Sequence, residues 1–83
     1  MKNLEYTIEV RVELKKGALD AEGETVSKSL NLLGYEVSGV QTIKVYRIRI
    51  DAENEKEALE KIGEASVRLL ANPVIQEFEL TVV

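Results

Sequence analysis

The side chains that could carry chemistry in this chain are carboxylates and amines. Histidine and cysteine do not occur, which removes imidazole acids and bases, thiolate nucleophiles, Ser/His/Asp and Cys/His pairs, zinc fingers and disulfide staples together. Catalysis would rest on Asp, Glu, Lys, Arg, Ser or Tyr. Lys15-Lys16-Gly17 precedes a candidate helix start and could hold an anion with help from that helix's terminal N–H groups. Lys beside Gly after a strand is also ordinary solvated-loop composition, and that reading is favoured. Glu53, Glu55, Glu57, Glu60 and Glu64 form an acidic run. Calcium loops set their ligands on a tight turn with a fixed Gly, whereas these carboxylates fall on a predicted helix. There Glu57 to Lys61 and Glu64 to Arg68 have the i,i+4 spacing of an ion-paired, solvated face. No catalytic, cofactor-binding or metal-ligating residue is assigned.

The elements that must position these groups follow from apolar spacing. Leu4, Tyr6, Ile8, Val10, Val12 and Leu14 alternate with Glu5, Thr7, Glu9, Arg11 and Glu13, the pattern of a long half-buried strand. Asp20 can cap a helix from about Ala21 to Leu33, with Val26, Leu30 and Leu33 at helical spacing and Gly34 as the stop. From Tyr35 to Ile50 the chain is β-rich over more residues than one strand usually holds. It reads as two strands, the first blurred by a bulge at Ser38-Gly39, the second phased by Tyr46, Ile48 and Ile50 against Arg47, Arg49 and Asp51. Asn54 with Glu57 starts a second helix carrying Ala58, Ile62, Ala65 and Leu69, widened by Leu59 and Leu70. Asn72-Pro73 ends it, and a last strand runs from Val74 to Val83.

The order β-α-β-β-α-β predicts an α+β, ferredoxin-like two-layer sandwich: a four-stranded antiparallel sheet with both helices on one face. The first strand and the one holding Arg47 and Arg49 should be neighbours, with opposite charges pairing on the open face. A single domain over residues 1–83 follows from the length. The 45% apolar and 31% charged residues exclude a disordered chain. Aromatics are scarce, so Val, Ile, Leu and Ala must build the core. Eleven basic residues against fifteen acidic ones give a net charge of −4, the wrong sign for gripping a phosphate backbone, so no nucleic-acid partner is expected. Thr7, Glu9, Arg47 and Arg49 stand where an RNA-binding sheet would need aromatic rings, and the metal-chaperone variant of the fold lacks its Cys pair. No stretch approaches the roughly 20 apolar residues of a membrane span, and Met1-Lys2-Asn3 opens no signal-peptide block. No membrane partner and a cytoplasmic location are expected. Gly63 inside the second helix implies close packing, against the subunit's own sheet or a partner's helix. The last strand is expected at a sheet edge, without Lys or Pro to guard it after Val74.

Two runs carry a family resemblance. Leu14-Lys15-Lys16-Gly17-Ala18-Leu19-Asp20-Ala21-Glu22-Gly23, followed by Val26, Leu30 and Leu33-Gly34, and Leu69-Leu70-Ala71-Asn72-Pro73-Val74-Ile75-Gln76-Glu77-Phe78 together resemble PurS. That family is the small subunit of bacterial and archaeal phosphoribosylformylglycinamidine synthase, and the resemblance spans essentially the whole chain. Ala21 stands where the family usually has Pro, and both suit a first helical turn. In the middle turn, Gln41-Thr42-Ile43-Lys44 keeps only the Lys of a pattern that often holds Arg and Gly-Lys.

The resemblance implies a non-catalytic subunit without a cofactor of its own. It implies assembly with a synthetase subunit (PurL), in a complex that uses ATP and Mg to activate the substrate amide, and with a glutaminase subunit (PurQ) that frees ammonia. The assembled ligase forms a C–N bond in purine biosynthesis, converting formylglycinamide ribonucleotide to formylglycinamidine ribonucleotide. The resemblance further implies a homodimer or tetramer that helps ammonia reach the synthetase. Lys15, Lys16, Asp20, Lys44, Asn72 and Pro73 are the candidate interface or loop-shaping residues. The alternative is an ACT-like regulatory module, which shares the predicted topology and binds small effectors between paired domains.

Overall fold

A computed structural model describes residues 4–83. The run Met1-Lys2-Asn3, read above for the lack of a signal peptide, lies outside the described residues. The elements are β1 (Leu4–Leu14), α1 (Ala21–Leu32), β2 (Ile43–Ala52), α2 (Glu55–Ala65) and β3 (Gln76–Val82), and a π-helical turn, Ser66–Leu70, extends α2. The sheet order is β2-β1-β3, antiparallel throughout. Ile8 faces Ile48 and Val82, and Val10 faces Tyr46 and Leu80. The long alternating strand is therefore the centre of the sheet, and β3 is an edge as expected.

The sheet has three strands, which corrects the four-stranded ferredoxin-like expectation. Residues 35–42, read as a bulged strand, pair with no other strand. Three of their backbone donors find partners on or beside α1: Tyr35 N–H donates to the Leu30 carbonyl, Val37 N–H to the Asn31 side chain, and Thr42 N–H to Asp20. Buried or not, a backbone donor needs one acceptor, and here helix α1 supplies what a neighbouring strand would have supplied. The two-helix layer is corrected with it. Only α2 covers the sheet, packing on β1 and β2, whereas α1 has no substantial packing against any other element. The molecule measures 58 × 25 × 14 Å with a radius of gyration of 16.7 Å, against about 12 Å for a compact chain of this length.

Ile8, Val10 and Val12 of β1, Ala52 of β2 and Ala58 and Ile62 of α2 form the buried centre, joined by Ala71. Tyr46, Ile48, Ile50, Phe78 and Leu80 close around it. Burying each large aliphatic side chain contributes about 1.5–3 kcal/mol. A Cβ added at Gly63 would lie 3.6 Å from Leu80 Cδ1, so this glycine faces the subunit's own sheet at ordinary contact distance.

Asn54 caps α2 through a 2.8 Å bond from Glu57 N–H. Leu69, placed on the core face by a 3.6-residue period, is 83% exposed. The π-turn explains the difference: Ala71 N–H reaches back five residues to the Ser66 carbonyl at 2.9 Å, which adds a residue to the turn and rotates the phase. Leu70 and Ala71 face inward instead. Ser66 is fully buried, its hydroxyl donating to the Ile62 carbonyl at 2.7 Å. On the open face Glu9 lies opposite Arg47 in the register and pairs with it at 2.8 Å.

Candidate functional site

The residues 21–42 form an arm that leaves the sheet at one end, beside Glu13, and returns to it at Ile43. Asp20 sits at its root. One carboxylate oxygen accepts the Gly23 N–H at 2.9 Å, an N-cap that satisfies a donor the helix itself cannot. The other accepts the Thr42 N–H at 2.7 Å. These two N–H groups, Thr42 first, hold the Asp20 carboxyl below its ordinary value. Gly23 is buried beneath this contact, and a Cβ there would stand 2.5 Å from the Val40 carbonyl oxygen.

The far end of the arm is held by a Schellman turn. Gly34, at φ +98°, lets its N–H reach Asn31 O and the Tyr35 N–H reach Leu30 O, both at 3.1 Å. The Asn31 amide then bridges helix and return segment, donating to Ser27 O at 2.9 Å and accepting from Val37 N–H at 3.3 Å. The arm is thus tied mainly to itself, with one exposed side-chain bond to the sheet, from Gln41 Nε2 to Glu13 Oε2 at 3.3 Å. Several of its apolar side chains stay in solvent: Leu32 is 88%, Leu33 74% and Tyr35 62% exposed, with Val26 also exposed, while Leu30, Val37 and Val40 are half-buried.

The two motif runs meet at the same end of the sheet. The Lys15 ammonium donates to the Pro73 carbonyl at 2.7 Å, and the Lys15 N–H to Ile75 O at 2.8 Å. Asn72 shapes the turn into β3 by accepting Val74 N–H on its side chain at 3.0 Å and donating its own N–H to the Gln76 side chain at 2.7 Å. Lys16 is exposed in the turn before α1. Lys44, opposite Val12, shares a shallow depression of about 220 Å³ with Glu13, Asp20, Glu22 and Thr42. Lys15, Asn72 and Pro73 therefore form one junction, Asp20 and Lys44 flank a second, and Lys16 belongs to neither. Gly23 and Gln76 stand in the sequence reading only as members of the two motif runs and Thr42 only in the middle turn, and Asn31 in none of them. Gly23 inside a predicted first helical turn was the visible signal among them, since glycine there costs about 1 kcal/mol against Ala.

Four of the five acidic residues, Glu55, Glu57, Glu60 and Glu64, lie on α2, with Glu57 to Lys61 at 2.9 Å and Glu64 to Arg68 at 3.3 Å, while Glu53 precedes the Asn54 cap and falls outside the helix expected to carry it. The Lys61 hydrogen bond and charge, with a lesser bond from the Glu53 backbone, hold the Glu57 carboxyl below its ordinary value. Among the described residues no three acidic side chains converge as a metal site, and no helix is long and apolar enough to cross a membrane.

A family model described as PurS, phosphoribosylformylglycinamidine (FGAM) synthase, matches residues 7–83. The chain belongs to the PurS family. It is 48% identical over 73 residues to the FGAM synthase subunit PurS of Archaeoglobus fulgidus, covering 87% of this chain and 91% of that one. The crystal structure of Methanocaldococcus jannaschii PurS, one of the subunits of formylglycinamide ribonucleotide amidotransferase, is 44% identical and superposes with a TM-score of 0.83 over 94% of this chain and 95% of that chain. A chain of the Thermotoga maritima PurLQS structure superposes with a TM-score of 0.87 at 27% identity, over 96% of this chain and 99% of that chain. The Lys15–Pro73 junction and the Asp20 root thus lie within residues 7–83, the span that the PurS family model matches.

Proposed function

We propose that this chain is the non-catalytic assembly subunit of a glutamine-dependent FGAM synthase, joining a synthetase of the PurL kind to a glutaminase of the PurQ kind. The observation that carries this reading is the arm: a PurS-family chain whose Leu32, Leu33 and Tyr35 side chains lie mostly in solvent is built for surfaces that other chains cover. A second copy of the chain is one such cover, giving a homodimer or tetramer, and the larger subunits are the others. Lys15, Asn72 and Pro73 set the loop junction that those subunits meet, with Lys16 and Lys44 as exposed cations beside it. ATP and Mg serve the complex on its synthetase subunit, in the cytoplasm, and this subunit orders the complex so that ammonia passes between active sites. The ACT-like alternative loses its basis with the fold, since it requires a four-stranded sheet with both helices against one face.

Size-exclusion chromatography with the synthetase and glutaminase of the same organism tests the reading. The synthetase and glutaminase should elute together only when this chain is present, and with it. Elution of this chain alone in every mixture would contradict the proposal.

A further inference from the structure

We infer that Asp20 is the positioning residue that sets the direction of the arm, by gripping both of its ends with one carboxylate. The functional consequence rests on the assembly reading above, but the clamp itself does not. The arm leaves at Ala21 and returns at Thr42, and between these points nothing from the sheet or α2 packs substantially on α1. Its internal bonds, Asn31 to Val37 and Tyr35 to Leu30, fix its shape and not its angle to the sheet. The angle is set at the root, where an exposed 3.3 Å bond from Gln41 Nε2 to Glu13 Oε2 adds one side-chain tie to β1. There Asp20 Oδ1 takes the Gly23 N–H and Oδ2 the Thr42 N–H, and the missing Cβ of Gly23 lets the return segment come close at Val40. A surface that docks by an exposed apolar tip at the end of a long lever depends on that angle.

A plain N-cap makes a different demand. Asn caps helices as well as Asp, but with its oxygen on the Gly23 N–H it turns an NH2 donor, where the carboxylate has its second acceptor, toward the Thr42 N–H. Asp20→Asn therefore keeps the cap and breaks the grip. Thr42→Pro removes the donor from the opposite side and leaves Asp20 intact. Because the chain has no cysteine, a single pair of spin labels at Ser29→Cys on α1 and Glu60→Cys on α2 reads the arm angle without background, with labelled chain diluted into unlabelled chain.

In D20N the expected result is retained amide protection along α1, with Thr42 N–H exchange faster by about tenfold and a broadened Ser29-to-Glu60 distance distribution. Thr42→Pro should broaden the same distribution, and self-association should weaken in both variants. An unchanged distance distribution in both variants overturns the clamp. A wild-type chain that never self-associates and binds no larger subunit defeats the assembly reading instead, while the distance measurement still decides the clamp.

Discussion

The Lys15 ammonium lies 2.7 Å from the Pro73 carbonyl oxygen, across a separation of 58 positions in the chain. With the backbone bond from Lys15 to Ile75, it fastens the exit of the central strand to the entry of the edge strand. An exposed hydrogen bond of this kind contributes about 0.5–1 kcal/mol. Lys15→Ala should lower the melting temperature by a few degrees, about 4–8 °C per kcal/mol for a domain of this size. Lys15→Arg should recover part of it, and Lys16→Ala should have almost no effect. Thermal unfolding followed by circular dichroism separates the three variants, and equal losses at Lys15 and Lys16 would remove the junction's special role.

Two glycines in helices predict opposite signs. At Gly63 a methyl group meets Leu80 Cδ1 at 3.6 Å, an ordinary contact, so Gly63→Ala should stabilise by about 0.5–1 kcal/mol from helix propensity. At Gly23 the methyl would stand 2.5 Å from Val40 O, and backbone cannot swing aside as a side chain does. Gly23→Ala should destabilise by about 1–2 kcal/mol after the propensity gain, in the range of overpacked sites. Urea titration of both variants checks the pair.

The pH dependence follows from Asp20. Its carboxyl is held below the ordinary value of 3.8 by the Thr42 and Gly23 N–H groups. A depressed folded value means that the native state favours the ionised form. Its contribution is complete above the ordinary value and is lost as the pH falls from there through the lowered one. Wild type should therefore exceed Asp20→Asn in melting temperature at neutral pH, and the gap should close below about pH 4. Glu13, Glu22 and Lys44 share the depression with Asp20 and are unchanged between the two proteins, so the difference isolates the one carboxyl. A constant gap down to pH 2 would contradict the clamp's charge dependence.

Local chemistry announced most of this fold. The alternation from Leu4 to Leu14, the caps at Asp20 and Asn54 and the stop at Asn72-Pro73 each depend on neighbours within a few residues, and each stands in the structure. The segment 35–42 did not announce itself, because an extended run carrying Tyr35, Val37 and Val40 serves equally well as a strand or as a return path tied to a helix. The stripe of Val26, Leu30 and Leu33 on α1 encodes burial but not the identity of the cover. Most of that stripe is exposed in the single chain, so the sandwich expectation placed on the sheet a helix that packs substantially on neither of its faces. Leu69 was misplaced because helical spacing assumes one period, and a single five-residue bond from Ala71 to Ser66 changes it. At the site, Lys15 and Pro73 were visible as motif residues, whereas their pairing is a long-range contact that no local pattern contains.

Glutamine-dependent amidine formation, set beside ammonia-dependent formation, tests the central claim most directly. The synthetase and glutaminase are assayed with this chain present and absent, first with glutamine and then with free ammonium as nitrogen source. An assembly subunit should be needed for glutamine-dependent turnover, while ammonia supplied from solution bypasses the coupling it provides. Leu33→Asp at the arm tip, where the side chain is 74% exposed and outside the core, should reproduce its absence. Glutamine-dependent turnover that is the same with the chain, without it and with the Leu33 variant would contradict the account.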